Sequence, residues 1–543
     1  MTTTVTPYRP PQQAGRDRFT QLLHAEWTKF RTLRGWVIAI VIAAVLIGVV
    51  GALLPRGEVQ CGSKSGAACL AKVPTGPGGE AVNDTYYLAG QPLAGNGSIT
   101  VQVTSLTGMI AQQAGFAGPG SPPQSTMSAG LVPWAKAGII ITAGTRPGSA
   151  YAAMMVTGSH GVRMQYDYTG DIAGLSGSVS AAAPRWLRLT RSGDVITGYD
   201  SADGSHWTEV GTVTLAGVTG TGTGPASTVQ AGMFATAPLN FTPNSPIYGE
   251  PGGSTSNSVA TGTFDDVALL GGAPGGQWTG QNVGASVADY NGPAPSGLGF
   301  HQAGGQFTVT GAGDVGPVVA DMVNSSYDTG TLAGHLFGVF IGLLIMVVIA
   351  AMFITVEYRR GLISSTLAAS PRRGRLLAAK AVVIGLVTFV LGSAGVAVAV
   401  IAGSRIAHDS GIFVLASGWP IQAQVILGTG AMLAVASVLA LSIGTILRRG
   451  VAAVATVVAV IVLPYILGVS GVLPASASEW VLRVTPAAGF AIEQSVPQYQ
   501  QVAGHYGPPD YFPLAAWSGL AVLGAYAVVA VGLAMWLLKR RDA

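Results

Sequence analysis

Apolar positions along this chain fall into two regimes. From Trp36 to Leu54, and again over Leu332–Val356, Ala381–Gly403, Val425–Leu447, Val451–Val472 and Leu514–Leu538, apolar residues are nearly continuous. Each run is long enough to cross a hydrocarbon core as a helix rising about 1.5 Å per residue. Between the first two runs the pattern changes to short alternating stretches. Ser98–Val103 reads S-I-T-V-Q-V, and Ala137–Thr142, Tyr151–Thr157, Gly161–Tyr166, Arg185–Thr190, Val195–Tyr199, Val229–Phe234 and Thr263–Leu269 continue the series. Glycine, proline and aspartate punctuate them, which predicts antiparallel strands of a sandwich. The expected fold class is a polytopic α-helical membrane protein with six transmembrane helices, plus a large extracytoplasmic all-β sandwich domain between helices 1 and 2. The expected domains are a disordered cytoplasmic tail over 1–22, an interfacial helix with the first span over 23–55, a linker over 56–79, the β-sandwich region over 80–330, and the remaining five spans with a cytoplasmic C-terminus over 331–543.

Composition supports the membrane reading. Mean hydropathy is +0.48 and only 10% of residues are charged, against about 25% in soluble domains. The first run follows Lys29, Arg31 and Arg34 and lacks the short core and small-residue cleavage site of a leader, so it reads as a retained span. Charge sets the orientation. Residues 56–330 hold 9 Lys and Arg against 16 Asp and Glu. The basic residues Arg359, Arg360, Arg372, Arg373, Arg375 and Lys380 lie between runs two and three, Arg448 and Arg449 between runs four and five, and Lys539, Arg540 and Arg541 after run six. Every alternate connection is basic, which places both termini in the cytoplasm and residues 56–330 outside it. The net charge of +4 is thus accounted for by topology and needs no nucleic acid. Cys61 and Cys69 follow the first span, where an oxidising compartment favours a disulfide; two free thiols are the alternative.

Few side chains inside the spans carry chemistry. Pro464 interrupts the fifth run and predicts a kink. His335 sits near the outer end of the second run, where it either has a function within the membrane or faces headgroups, the blander and favoured reading. There is no G-x-x-x-x-G-K-[ST] loop, so ATP hydrolysis cannot be argued for this chain. Neither H-E-x-x-H nor G-x-S-x-G occurs in a context supporting a hydrolase. No catalytic residue and no metal set is assigned.

Three segments carry a family resemblance. LHAEWTKFRTLRGW, from Leu23 to Trp36, MFITVEYRRGLISSTLAASPRRGRLLAAK, from Met352 to Lys380, and the ending at Arg540, Arg541 and Asp542 resemble actinobacterial ABC transporter permeases of the type-2 exporter class. The resemblance covers the membrane part, roughly half the chain. It implies a surface helix before span one and a connection after span two that together contact a separately encoded ATPase, which would hold ATP and Mg; this chain would bind no cofactor. It also implies a homodimer or a paired permease in the lipid bilayer. The coupling surface carried over consists of Glu26, Trp27, Lys29, Phe30, Glu357, Tyr358, Arg359 and Arg360. The spacing of Trp27, Phe30 and Leu33, with Glu26, Lys29 and Arg34 able to face water, fits an interfacial helix. Positive-inside topology alone would also explain the arginines. The departure from the family is the long insertion after span one.

PWAKAGIIITAG, YAAMMVTGSHGVRMQ and WLRLTRSGDVITGYDSADGSHWTEVG, within Leu93–Leu269, resemble a concanavalin/laminin-G-like sandwich. FTVTGAGD, Phe307–Asp314, resembles a strand and turn from the start of such a fold, so either the fold is rearranged or residues 278–325 pack back beside the first strands. The resemblance implies an extracellular glycan or an accessory protein as ligand, with Trp134, Arg163, Tyr199, His206 and Trp207 as the residues to inspect. Core packing is the alternative role for these aromatics. Asp200 and Asp203 suit calcium, or more simply a turn. Opposed acidic residues around a sugar cannot be placed, so no glycosidase is read. A membrane-anchored carbohydrate-binding or adhesion protein without transport is the alternative to the permease.

Overall fold

The computed structural model describes residues 19–53, 74–112, 126–215, 229–243, 253–272, 276–284, 297–319, 329–361, 373–410, 413–415, 418–470, 472–502 and 511–540. Cys61, Cys69 and the 362–372 connection lie outside the described residues. The chain is a polytopic helical membrane protein with a large inserted β domain. Among the described residues, six helices are long and apolar enough to cross a bilayer: Arg34–Leu53, Ala333–Arg359, Arg373–Asp409, Trp419–Leu447, Gly450–Val469 and Ala516–Arg540. They are called spans one to six below. A shorter helix, α1 (Phe19–Thr32), precedes span one.

The third span starts eight residues before its apolar run, because Arg373–Lys380 contains Leu and Ala that favour a helix. Proline shapes the fifth. Pro464 offers no N–H to the ladder, and just before it Val458–Val462 winds as a π-helix, with Leu463 N–H donating to Val458 O. The interruption expected at Pro464 thus takes the form of a wide π turn. Between spans four and five Arg448 takes a left-handed conformation at φ 57° and closes the reversal by donating to Gly444 O. Small residues let the helices approach: a Cβ on Gly395 would lie 2.6 Å from Ala44 O, and one on Gly338 2.7 Å from Ile47 O. His335 does not face headgroups. It is buried between spans one and three, its ring against Gly403 and its Nδ1 3.3 Å from Gly51 O. Exposed Trp419, Trp480 and Trp517 ring the end of the bundle near the β domain, and exposed Trp27 and Trp536 mark the far end, as aromatic belts do at bilayer interfaces.

The β domain is two packed sheets joined by one strand. Tyr86–Gln112 runs for 27 residues, its first part in one sheet and its remainder in the other. The first sheet runs, neighbour by neighbour, Thr279–Val283, Tyr86–Gln112, Gln230–Thr236, Lys136–Thr142, Tyr151–Thr157, Val162–Tyr166 and Gly170–Ala173. The second runs Thr208–Thr214, Val195–Ser201, Arg185–Ser192, Tyr86–Gln112, Ser258–Gly272, Gln306–Gly311 and Gly299–Ala303. Ile99, Val101, Ile139, Ile141, Met154, Leu187, Leu189 and Phe264 fill the space between them. The late segments do return to the first strands: Val315–Pro317 pairs with Val82–Asp84.

That pairing builds a ribbon over the outer face of the first sheet, so strands Lys136–Thr142 and Tyr151–Thr157 are buried on both faces. Two polar anchors fix the ribbon. Fully buried Lys136 donates to Asp314 Oδ1 and to Val315 O, both at 2.7 Å. Asp84 Oδ2 accepts from Tyr168 Oη at 2.7 Å and from Gly148 N–H at 2.8 Å. The ribbon in turn rests on the bundle: Ala81, Val318 and Val319 pack with Leu415, Val496, Val502 and Tyr511 from the connections between spans. Gln501 Nε2 donates to Tyr168 O at 3.1 Å, and Thr329–Gly330 pairs in parallel with Phe413–Val414.

Burial pushes the Asp84 carboxyl up to about 6 from its ordinary 3.8. Because the folded value is raised, the protonated form favours folding. This contribution is complete below about pH 4 and declines as pH rises through 6, by at most on the order of 3 kcal/mol. Asp84→Asn keeps an oxygen able to accept both bonds. Its thermal melts should lose the pH 4–6 slope that the wild-type β domain shows; identical slopes would refute the assignment.

Candidate functional site: a buried ion cluster at the far end of the bundle

The first turns of span three bring Lys380 to the end of the bundle opposite the β domain. Its side chain is fully buried, beside the end of span two and against α1. Its Nζ donates to Glu26 Oε2 at 2.6 Å and to Glu357 Oε1 at 2.7 Å, and sits 4.5 Å from the centre of the Phe353 ring. An ammonium has three N–H groups and no acceptor, and two carboxylates and one π-face satisfy all three. Lys29 closes the set, 3.0 Å from Glu26 Oε1 and 3.4 Å from Glu357 Oε1. Two positive and two negative groups therefore cancel. Exposure grades across the cluster: Lys380 0%, Glu26 1%, Glu357 12% and Lys29 41%.

Aromatic packing completes the site. Phe30 and Trp36 meet the Phe353 ring edge-on, with centroids 5.9 and 5.3 Å away. Span two ends just beyond Glu357, where Gly361 takes φ +67°. Arg359 and Arg360 are exposed there, and the Arg448 guanidinium lies 5.2 Å from the Tyr358 ring. Arg373 donates to Leu538 O at 2.7 Å and ties the start of span three to the end of span six.

The eight residues assigned to the coupling surface thus gather at one end but play different parts. Glu26 does not face water, as the spacing had suggested; together with Phe30 it forms the buried stripe of α1, and Trp27 is the exposed one. The reason is Lys380, whose charge has no water and takes the nearest carboxylates. Sequence reasoning counted Lys380 only as a topological charge. The signal was available: a lysine flanked by L-L-A-A and A-V-V-I is an ionisable group entering an apolar helix, and such groups are paired.

The residues inspected for glycan lie in two places. Trp134 is only 6% exposed and His160 stacks on it with ring centroids 3.9 Å apart. Arg163 is near the same ring but held by Asp171. Tyr199 and Trp207 belong to the second sheet and the turn beside it, with the Arg188 guanidinium 3.9 Å over the Trp207 ring. His206 is exposed and bonds Asp203, which draws the imidazole value upward. Asp203 is otherwise occupied by the backbone N–H groups of Ser205 and His206, and Asp200 by that of Leu175. Both aspartates are thus engaged in turn and loop bonds, and no group of three potential metal ligands occurs among the described residues.

No known family model matches the chain, and no curated protein does. Among solved structures it is similar to the GH43 protein BlXynB from Bacillus licheniformis, 14% identical over 35% of this chain and 28% of that one, with a TM-score of 0.17. Scytalido-glutamic peptidase is 9% identical over 44% of this chain and 100% of that one, at 0.23. A functionally unknown protein from Saccharomyces cerevisiae is 15% identical over 34% and 73%, at 0.18. The chain spans less than a third of the Bacillus licheniformis protein. At these scores the likenesses carry no functional argument.

Breaking a buried pair strands a charge and costs about 3–5 kcal/mol, whereas replacing the whole set by apolar groups costs far less. Lys380→Met should therefore lower the melting temperature of the full chain in detergent and open α1 to protease. Adding Glu26→Gln and Glu357→Gln should recover most of that loss. A single variant as stable as wild type would show the cluster to be energetically idle.

Proposed function

We propose that the chain is the permease subunit of an ABC-type membrane transporter, an exporter driven by a separate ATPase that carries the ATP and Mg. The observation that carries the reading is the ion cluster. It clamps α1 to spans two and three, and leaves Trp27, Arg359 and Arg360 exposed at one end of the bundle. A docking surface that transmits force needs a rigid base, and a four-charge cluster with its buried members around a shared aromatic ring provides one. The same end holds Arg448, Arg449, Lys539 and Arg540, so the positive-inside bias supports a cytoplasmic location for it and an extracytoplasmic one for the β domain. The resemblance of Leu23–Trp36 and Met352–Lys380 to type-2 permeases falls on these same residues. Transport would proceed by rearrangement of the bundle in a pair of permeases, with no covalent chemistry in this chain.

Gentle detergent extraction of the native chain, followed by mass spectrometry, should recover an ATPase. Arg359→Glu with Arg360→Glu should lose most of it, at least tenfold, while membrane insertion stays intact. In intact cells an impermeant thiol reagent should label Ser178→Cys and spare Ser365→Cys. Absence of any co-purifying ATPase, or the reverse labelling pattern, would overturn the reading.

A further inference from the structure

Between spans five and six the chain forms a short helix, Ala475–Val484, and then a 3-10 segment, Pro486–Glu493, wedged against spans four and six. The segment is buried along its whole length. Gly428 of span four admits it, since a Cβ there would lie 2.3 Å from Ile492 Cγ1. Gly519 of span six does the same, 2.1 Å from Ala488 O. At its end stands Glu493, a carboxyl in an apolar seat whose Oε1 has no hydrogen-bond partner among the described residues.

Among the described residues, no positive group faces it from the elements packed against the segment. Span four contains no Asp, Glu, Lys, Arg or His. Span six has Lys539 and Arg540 only at its far end, and its Tyr526 hydroxyl donates to Val484 O. Span five offers Tyr465, whose ring lies 4.1 Å from that of Phe490. In the preceding helix Glu479 and Arg483 are exposed and paired with each other. Burial accordingly holds the Glu493 carboxyl up at about 8, against an ordinary 4.5. A charged carboxylate without a partner is too costly in such a place to coexist with the packed segment.

What Glu493 adjoins gives its protonation a consequence. The next residue, Gln494, accepts from Gln424 Nε2 of span four through its backbone oxygen at 3.4 Å, and from Phe512 N–H ahead of span six through Oε1 at 3.3 Å. Val496, Gln501 and Val502 follow, and these carry the β domain. We propose that Glu493 is a proton-binding site, and that its proton latches the seat on which the β domain rests. Loss of the proton puts a charge into the apolar wedge, unseats Pro486–Glu493, and loosens the 494–502 connection and the β domain above it. The inference stands whether or not the chain is a transporter.

The full chain in lipid nanodiscs tests this by two readouts. Infrared spectra should show a protonated-carboxyl C=O band at neutral pH that vanishes on titration with a midpoint near 8, and that is absent from Glu493→Gln. No difference in that band between wild type and the Gln variant at neutral pH would overturn the site. Hydrogen exchange of residues 494–502 should match in the two proteins at pH 7 and run at least fivefold faster in wild type at pH 9. Equal exchange at pH 9 would overturn the latch. The infrared titration of wild type alone still decides the site if the variant misfolds.

Discussion

Lys380 holds a positive charge where no water reaches it, and the far end of the bundle is arranged around that fact. An ammonium in such a place requires carboxylates at contact distance, and here one comes from span two and the other from α1. The requirement fixes α1 in rotation as well as position. A slip of one residue turns a helix by about 100°, carrying Glu26 off the buried face and leaving Lys380 half compensated. The net gain over an apolar core of the same shape is small, because removing the buried charges from water costs nearly what their attraction returns. What the cluster supplies is uniqueness: it allows one register of α1 on spans two and three.

The opposite end is joined by different means. There, among the described residues, the β domain meets the bundle through apolar side chains, a side-chain hydrogen bond from Gln501, and the short parallel pairing of Thr329–Gly330 with Phe413–Val414. Buried polar groups appear one layer further out, inside the β domain. Lys136–Asp314 and Asp84–Tyr168 pin the ribbon that does the docking. Both anchors tie residues far apart in sequence, so the ribbon's seat depends on the closed domain.

Much of this was legible from period alone. Runs of period-free apolar residues gave the spans, alternation gave the strands, and the basic connections marked one end of the bundle. What the pattern could not show were pairings set by tertiary contact. Glu26 and Lys380 are 354 residues apart, and a helical wheel of α1 drawn alone assigns the glutamate to water. His335 was read as facing headgroups because histidine is polar, whereas small residues at Gly51 and Gly403 leave room to bury it. Trp134 is a reasonable ligand platform by type, but in the fold His160 lies on its face. Glu493 left no periodic signal, since a 3-10 turn between two spans has no long amphipathic face to violate.

Spans two and three connect the two ends, and their restraint is unequal along their length. At the far end they share Lys380 and Glu357; near the β domain they bracket His335 against Gly403 and are bridged by the strand pair at Thr329–Gly330 and Phe413–Val414. Helices of this length are stiff, and a close-packed interior does not deform continuously. The two ends of these helices are held by different kinds of contact. Near the β domain the fastenings among the described residues include a two-residue ladder, the Gln501 bond and an apolar contact. The far end is registered by ion pairs, whereas the joint below the β domain rests on apolar packing together with those bonds.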